Sequence, residues 1–169
     1  MKQITIKQRV FAFGATYDVY DENETQIYCA KSEILTFGSK IHINDMNDNE
    51  VCYCEQELFH FMPKYYLNFT NGENLEINGK FSLFKNKLEV EPISWFLEGS
   101  DWTHAFEITD GGILIASIDR EWFTFGDQYT LKVTNDSYTL KVIALTIVLD
   151  SINDAKAAAS AGTTVVNND

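Results

Sequence analysis

Apolar and polar residues alternate along most of this chain, and short groups of turn-forming residues separate one alternating segment from the next. Alternation with a period of two places one face of a strand against a core and the other face toward water. Asn71-Gly72 and Asp110-Gly111-Gly112 stand between such segments and are strong signals for hairpin turns. The pattern predicts strands near residues 4–12, 17–20, 26–35, 40–45, 51–59, 64–69, 74–83, 87–91, 93–98, 104–109, 113–123 and 128–134.

An internal repeat underlies this pattern, because residues 13–36 align with residues 37–60 without a gap. The coinciding pairs are Phe13 and Phe37, Gly14 and Gly38, Asp21 and Asp45, Asn23 and Asn47, and Glu33 and Glu57. Further units begin at Phe61, Phe84 and Phe125. A dozen sequential strands tend to curl and close, and closure removes the exposed edges. We therefore predict a closed, twelve-stranded antiparallel barrel.

The most apolar segment of the chain, residues 138–153, follows the last predicted strand. A transmembrane helix needs about 20 apolar residues, and the run between Lys141 and Asp150 is shorter than that. In a helical arrangement Thr139, Thr146, Asp150 and Asn153 form one narrow polar stripe, and apolar residues cover the rest. Such a helix belongs inside a protein, although its β-branched residues leave a final strand as an alternative.

The size of the predicted barrel favours the helix over the strand. An eight-stranded barrel has room only for side chains, and the interior widens with strand number. Twelve strands can enclose one helix about 10 Å across. We predict one domain over residues 1–154, with residues 138–153 as its central helix. Residues 155–169 are small and polar, which predicts a frayed or disordered tail.

Charge and cysteine content narrow the classes of partner. The chain carries 25 acidic and 13 basic residues, a net charge of −12. This charge argues against nucleic-acid binding and, unless a local basic patch is present, against a peripheral membrane protein. Its three cysteines show no disulfide-framework spacing, and the first residues lack the apolar core of a signal peptide. We expect a cytoplasmic protein that does not insert stably into a membrane.

Three motifs suggest functional sites, but a structural interpretation of each motif is better supported. Cys52 and Cys54, with His60, suggest zinc, but structural zinc needs four ligands at recognised spacings, so we interpret the cysteines as barrel-wall residues. Residues 45–50 begin like a calcium loop, yet they lack its glycine and its final glutamate, which favours a hairpin turn. Ser100, Asp101 and His104 contain the residue types of a hydrolytic triad without a nucleophile motif around them. The sequence therefore predicts no metal and no other cofactor.

A fourth candidate consists of Lys40, Lys64 and Lys87, which each stand at the fourth position of a Phe-initiated unit. Around a barrel all three would extend from the same end and form a rim able to attract an anion or an acidic lipid. The alternative is that they cap turns and discourage edge pairing. We expect repulsion from the carboxylates to prevent binding to anionic liposomes at physiological salt.

The ordered stretches "QRVFAFGATYDVYDEN", "EQELFHFMPKYYL", "GKFSLFKNKLEV" and "REWFTFGDQYTL", followed by the apolar helix, resemble the LURP-one-related family. This family shares its fold with the tubby C-terminal domain and with phospholipid scramblases, and bacterial members of about this length are the most similar. The resemblance implies a closed twelve-stranded barrel around a central C-terminal helix. It implies no catalytic residues. Tubby relatives bind phosphoinositide headgroups through basic residues, whereas this sequence has no basic run.

These features together predict a non-catalytic binding or scaffold barrel that acts near membranes or protein partners. Two alternatives stay open at this stage. One is an enzyme with an unrecognised pocket, and the other is a weak binder of anionic phospholipids through the lysine rim.

Overall fold

A computed structural model describes residues 1–11, 14–80, 86–99, 104–123 and 126–163. The chain forms a closed barrel in which each strand pairs antiparallel with the next and the last strand pairs with the first. The strands are β1 (Lys2–Phe11), β2 (Gly14–Tyr20), β3 (Gln26–Ser32), β4 (Lys40–Asp45), β5 (Glu50–Gln56), β6 (Lys64–Phe69), β7 (Asn74–Lys80), β8 (Asn86–Glu91), β9 (Trp95–Gly99), β10 (Ala105–Asp110), β11 (Ile113–Phe123) and β12 (Gly126–Val133). The predicted twelve-stranded antiparallel barrel is confirmed.

One helix, α1 (Thr139–Thr163), fills the barrel. Its apolar residues up to Ile152 pack against the inward faces of the strands, in which Ile, Leu and Val predominate. Thr146 lies in this core without an unpaired hydroxyl, because its Oγ1 donates to the carbonyl of Val142 at 2.8 Å. The barrel needs filling and the helix needs covering on all sides, so each solves the packing problem of the other.

The helix is longer than the predicted 138–153 and ends at Thr163. Its buried part stops at Ile152, and residues 154–161 are exposed. The added residues are rich in alanine, the best helix former, so the helix continues after it leaves the barrel. Residues 164–169 of the predicted tail lie outside the described residues.

The two ends of the barrel differ. At the turn end, the short turns at residues 21–25, 45–49 and 70–73 join consecutive strands, and α1 begins. At the loop end, the longer segments 33–39 and 57–63 join strands, and α1 leaves the barrel. The predicted strands 26–35 and 51–59 end early, at Ser32 and Gln56. Their last residues turn out of the sheet, since Leu35 and Phe59 have left-handed backbones with φ of 58° and 65°.

Candidate functional site

Four large apolar side chains project from the loop end into solvent. Leu35 and Phe37 are 101% and 91% exposed, and Phe59 and Phe61 are 103% and 98% exposed. At such exposure each side chain contacts almost nothing of its own protein. We call these four residues the apolar tips. A cluster of this kind carries information about function that a single exposed hydrophobic residue does not.

The internal repeat places the apolar tips in two equivalent loops. In the repeat, residues 13–36 align with residues 37–60, and residues 37–60 align with the unit that begins at Phe61. Leu35 therefore corresponds to Phe59, and Phe37 corresponds to Phe61. The left-handed backbone at Leu35 and Phe59 turns both side chains away from the barrel wall. The same local geometry therefore occurs twice, with an apolar residue at its tip each time.

The two loops lie side by side and are held in place. Their strands pair through the β4–β5 hairpin, and the amide of Gln56 donates to the carbonyl of Ser39 at 2.8 Å. Gly38, with φ of 81°, lies so close to Leu58 that a Cβ at this position would be 2.9 Å from the leucine Cδ2. The loops are therefore packed against each other at their bases while their apolar tips stay free.

Other exposed apolar residues extend this surface around the loop end. They are Val10, Ile34, Trp122 and Phe123, with exposures between 48% and 60%. The exposed part of α1 emerges among the loops, and a groove of about 210 Å³ separates Ala155 and Ala159 from Gln56 and Pro63. The loop end thus combines exposed apolar side chains with the exposed, alanine-rich part of α1.

The predicted lysine rim is also at this end. Lys40, Lys64 and Lys87 lie at the loop ends of β4, β6 and β8, three strands that run in the same direction. Their inward neighbours are Ile41, Tyr65 and Leu88, which are buried, so the lysines lie on the outer face of the wall.

Each rim lysine has carboxylate partners. The pairs are Lys40 with Glu55 at 3.6 Å, Lys64 with Glu57 at 3.2 Å and Glu76 at 3.1 Å, and Lys87 with Glu98 at 2.7 Å. Hydrogen bonds with Tyr66, Glu76 and Glu57 raise the pKa of Lys64. The positive charges of the rim are therefore compensated locally, and an anion would have to compete with these carboxylates.

The carboxylates on the apolar loops have partners as well. The only charged side chain in each loop sequence besides His60 is Glu33 or Glu57. Glu33 accepts from His42 Nε2 at 2.8 Å, and this bond together with that to Glu50 raises the pKa of His42. Tyr66, His60 and Lys64 lower the pKa of Glu57 to about 2.

Ten acidic side chains lie at the turn end. Asp21, Glu22, Glu24, Asp45, Asp48, Glu50, Glu73, Glu91, Asp110 and Asp136 lie in or beside its turns. The basic residues at this end are Lys2, Lys132 and Lys141. These ten of the chain's 25 carboxylates therefore lie at the end opposite the apolar tips.

Beneath the loop end, a buried polar cluster surrounds Asp150 on the last buried turns of α1. Its carboxylate accepts hydrogen bonds from Tyr17 at 2.8 Å, from Gln8 Nε2 at 2.6 Å and from Tyr129. Arg120 lies 3.7 Å away and is itself paired with Asp127. The sequence pattern included Asp150 in the polar stripe, but its partners are remote in the chain and no local signal identifies them.

Burial raises the pKa of Asp150 to about 6, and the neighbouring Asp154 adds to the effect. The hydrogen bonds from Tyr129 and Tyr17 and the charge of Arg120 act in the opposite direction. Since the carboxylate oxygens are occupied by partners within the chain, the cluster holds the helix in the barrel. It offers no open position to a substrate.

The other sequence candidates are distributed over the molecule. Cys52 and Cys54 point into the core, with their Sγ atoms 3.9 Å apart, whereas His60 is on an exposed loop and pairs with Glu57. Across the described ranges, no group of three or more His, Cys, Asp or Glu side chains is arranged to hold a metal ion. Residues 45–50 form a hairpin turn, in which Asp45 Oδ1 accepts from the amides of Asn47 and Asn49 at 2.9 Å.

The triad candidate cannot be assembled from the described part of the chain. Ser100 and Asp101 lie outside it, and His104 stacks on Trp122 with 5.8 Å between ring centroids. In the same described part, α1 lacks the length of apolar sequence that is needed to cross a bilayer, and no other helix meets that requirement either.

Comparisons with known proteins agree with this architecture. The family model described as LURP-one-related matches residues 2–150. The uncharacterized protein YxjI of Bacillus subtilis (strain 168) is 25% identical over 152 residues, which cover 90% of this chain and 94% of that protein. An X-ray structure of an Arabidopsis thaliana protein has the same fold, with a TM-score of 0.57 at 14% identity, and the match covers 89% of this chain and 91% of that chain.

Proposed function

The chain belongs to the LURP-one-related family, and we propose that it is a non-catalytic binding barrel that docks through its loop end. The observation that carries the proposal is the exposure of the four apolar tips on two adjacent loops. Transfer of such a side chain out of water is worth about 1.5–3 kcal/mol. A partner that covers the tips gains this free energy, which the isolated protein does not use.

The interior of the barrel supports a non-catalytic role. The apolar part of α1 fills the space where a barrel protein would otherwise enclose a ligand. The polar groups around Asp150 are hydrogen-bonded to one another. Active sites instead combine a pocket with titratable groups that face a substrate.

The competing proposal is an enzyme that uses a groove on the outer wall. One such groove, of about 360 Å³, is lined by Glu98, Glu107 and Asp119 among others. It combines carboxylates with the wall residues Phe106 and Ile118, and within the described residues no histidine, lysine or cysteine lines it. The apolar tips favour docking over this alternative.

Site-specific photo-crosslinking in cells tests the proposal. A photoreactive phenylalanine analogue would replace Phe37 or Phe59 at the loop end, and Met46 or Ile113 at the turn end as matched controls. All four positions are exposed and apolar, with Met46 at 54% and Ile113 at 72%. We expect adducts from positions 37 and 59 that are absent from the two control positions.

Competition establishes whether the adducts are specific. Co-expressed wild-type protein without the analogue should reduce their yield, whereas a Phe59→Ser/Phe61→Ser protein should not. Equal adduct yields from both ends, or equal competition by both proteins, would contradict docking through the loop end.

A further inference from the structure

We infer that the loop end docks onto the surface of a lipid bilayer, with the apolar tips inserted among the lipids and the barrel standing outside. This inference rests on the proposed docking function and identifies its partner. Burial of the apolar tips drives the association, and no particular headgroup is required. The chemistry recognised is therefore the apolar interfacial layer of a bilayer.

The shape of the surface distinguishes a bilayer from a protein partner. The apolar tips are projections with exposures of 91–103%, and none of them lines either of the two grooves described above. A folded partner would need a separate pocket for each tip to make the complementary contacts of a specific interface. A fluid lipid layer closes around each projection without such pockets. Aromatic rings are also the side chains that are enriched at the membrane–water interface.

The charges on the two loops allow them to approach lipid. Glu33 is paired with His42, and Glu57 with Lys64 at 3.2 Å and His60 at 3.2 Å. Both carboxylates of the inserting segments therefore have side-chain partners within the protein. Lys40, Lys64 and Lys87 lie on the outer wall just below, at the level where long basic side chains reach lipid phosphates.

The distance between the two ends of the barrel reduces the repulsion that the turn-end carboxylates exert on a bilayer. The six residues of β4 rise about 3.3 Å each, and the strands of a barrel are tilted by about 40°, so the acidic turns lie roughly 15 Å from the loops. The Debye length is about 8 Å at physiological ionic strength. The carboxylates of the turn end are therefore largely screened from a bilayer at the loop end.

The inference predicts binding that resists salt and does not depend on anionic lipid. Purified full-length protein would be floated with phosphatidylcholine vesicles at physiological ionic strength and at about 1 M salt, where the Debye length is about 3 Å. We expect the wild-type protein to float with the vesicles in both conditions. The rim lysines are compensated, so adding anionic lipid should not be necessary.

Matched variants locate the binding surface. Phe59→Ser/Phe61→Ser removes two apolar tips, and Met46→Ser/Ile113→Ser removes two exposed apolar residues from the turn end. All four positions are exposed, so both proteins should fold, which is checked by their thermal unfolding. We expect the first variant to lower the vesicle partition coefficient at least tenfold, and the second to leave it unchanged.

Orientation provides a second readout. In a Cys29→Ser background, a fluorophore sensitive to polarity would be attached to Phe59→Cys or to Met46→Cys. The remaining cysteines, Cys52 and Cys54, are buried and protected from labelling. Vesicles should shift the emission of the label at position 59 to the blue and leave the label at position 46 unaffected.

The outcomes separate this inference from the proposed function. If the wild-type protein does not float, or floats only with anionic lipid at low salt, the bilayer inference is overturned. Specific photo-adducts at positions 37 and 59 would then retain the docking function with a protein as partner. A dimer in light scattering that Phe59→Ser/Phe61→Ser abolishes would instead identify a second copy. Equal flotation of both double variants would also overturn the bilayer inference, because lipid would then be bound by a surface other than the apolar tips.

Discussion

At the scale of single residues, Asp150 illustrates what local sequence patterns omit. It lies in the interior with no exposed surface and is held by side chains from three strands of the wall. The sequence places it in a narrow polar stripe on an otherwise apolar helix. Its partners Gln8 and Tyr17 come from the start of the chain, and no pattern within α1 could identify them.

The raised pKa of Asp150 makes stability depend on pH. Its pKa is about 6 in the folded protein, above the ordinary value of 3.8. A raised folded pKa favours the folded state at low pH, so this contribution is lost as pH rises from about 4 through 6. The difference between the two pKa values corresponds to about 3 kcal/mol in the free energy of unfolding. Asp154, whose pKa is also raised, contributes in the same direction.

Replacing Asp150 by asparagine should remove much of this dependence. Asn keeps an acceptor for the tyrosines but cannot ionise. Between pH 4 and pH 7.5 the free energy of unfolding of Asp150→Asn should therefore rise by up to about 3 kcal/mol relative to that of the wild-type protein. Urea unfolding at both pH values measures the change. His42 titrates in both proteins, so the comparison isolates the cluster around Asp150. If the two proteins differ in free energy of unfolding by the same amount at both pH values, the raised pKa of Asp150 is contradicted.

At the scale of elements, the sequence predicts the strands better than the loops. Period-two alternation marks the strands because one face of each must be apolar, and every predicted strand has a counterpart in the barrel. The exposure of Phe37 and Phe61 could not be predicted in this way, since both lie between predicted strands, where alternation assigns no face to a side chain. Their orientation depends on the backbone of Leu35 and Phe59, which the sequence assigned to strands.

Helix α1 combines a buried part and an exposed part, which should respond differently to the same substitution. Leu145→Lys places an unpaired charge in the core and should prevent folding, because such burial costs several kcal/mol. Ala158→Lys alters the exposed part and should change the free energy of unfolding by about 0.5 kcal/mol or less. Circular dichroism during heating compares the two. A cooperative transition in soluble Leu145→Lys would show that the segment is not enclosed.

At the scale of the whole molecule, closure of the barrel depends on the pairing of β1 with β12. Sequence reasoning predicts this pairing only indirectly, from the number of strands and the need to cover their edges. Gly126 shows how tight the seam is. It has φ of 139°, and a Cβ at this position would overlap the carbonyl oxygen of Gln8 on β1.

Substituting Gly126 should therefore open the seam. Gly126→Ala is expected to lower the free energy of unfolding by about 3 kcal/mol or more, from steric overlap and backbone strain together. Gly72→Ala is the matched control, because φ is 90° at Gly72 but no atom lies within 4 Å of its Cβ position. The free energy of unfolding of that variant should fall by only about 1 kcal/mol. Urea unfolding measures both, and equal losses would contradict the tight contact.

The pairing of the first strand with the last also sets the order of events during synthesis. Lys2 on β1 finds its partner only when Val133 has been made, and at roughly 5–20 residues per second this takes roughly 7–26 s. During that time the open sheet has an apolar inner face and unpaired edges. The helix that covers this face is translated after all twelve strands. We therefore expect the nascent chain to be prone to aggregation until α1 has left the ribosome, and a chain truncated before α1 should form no stable barrel.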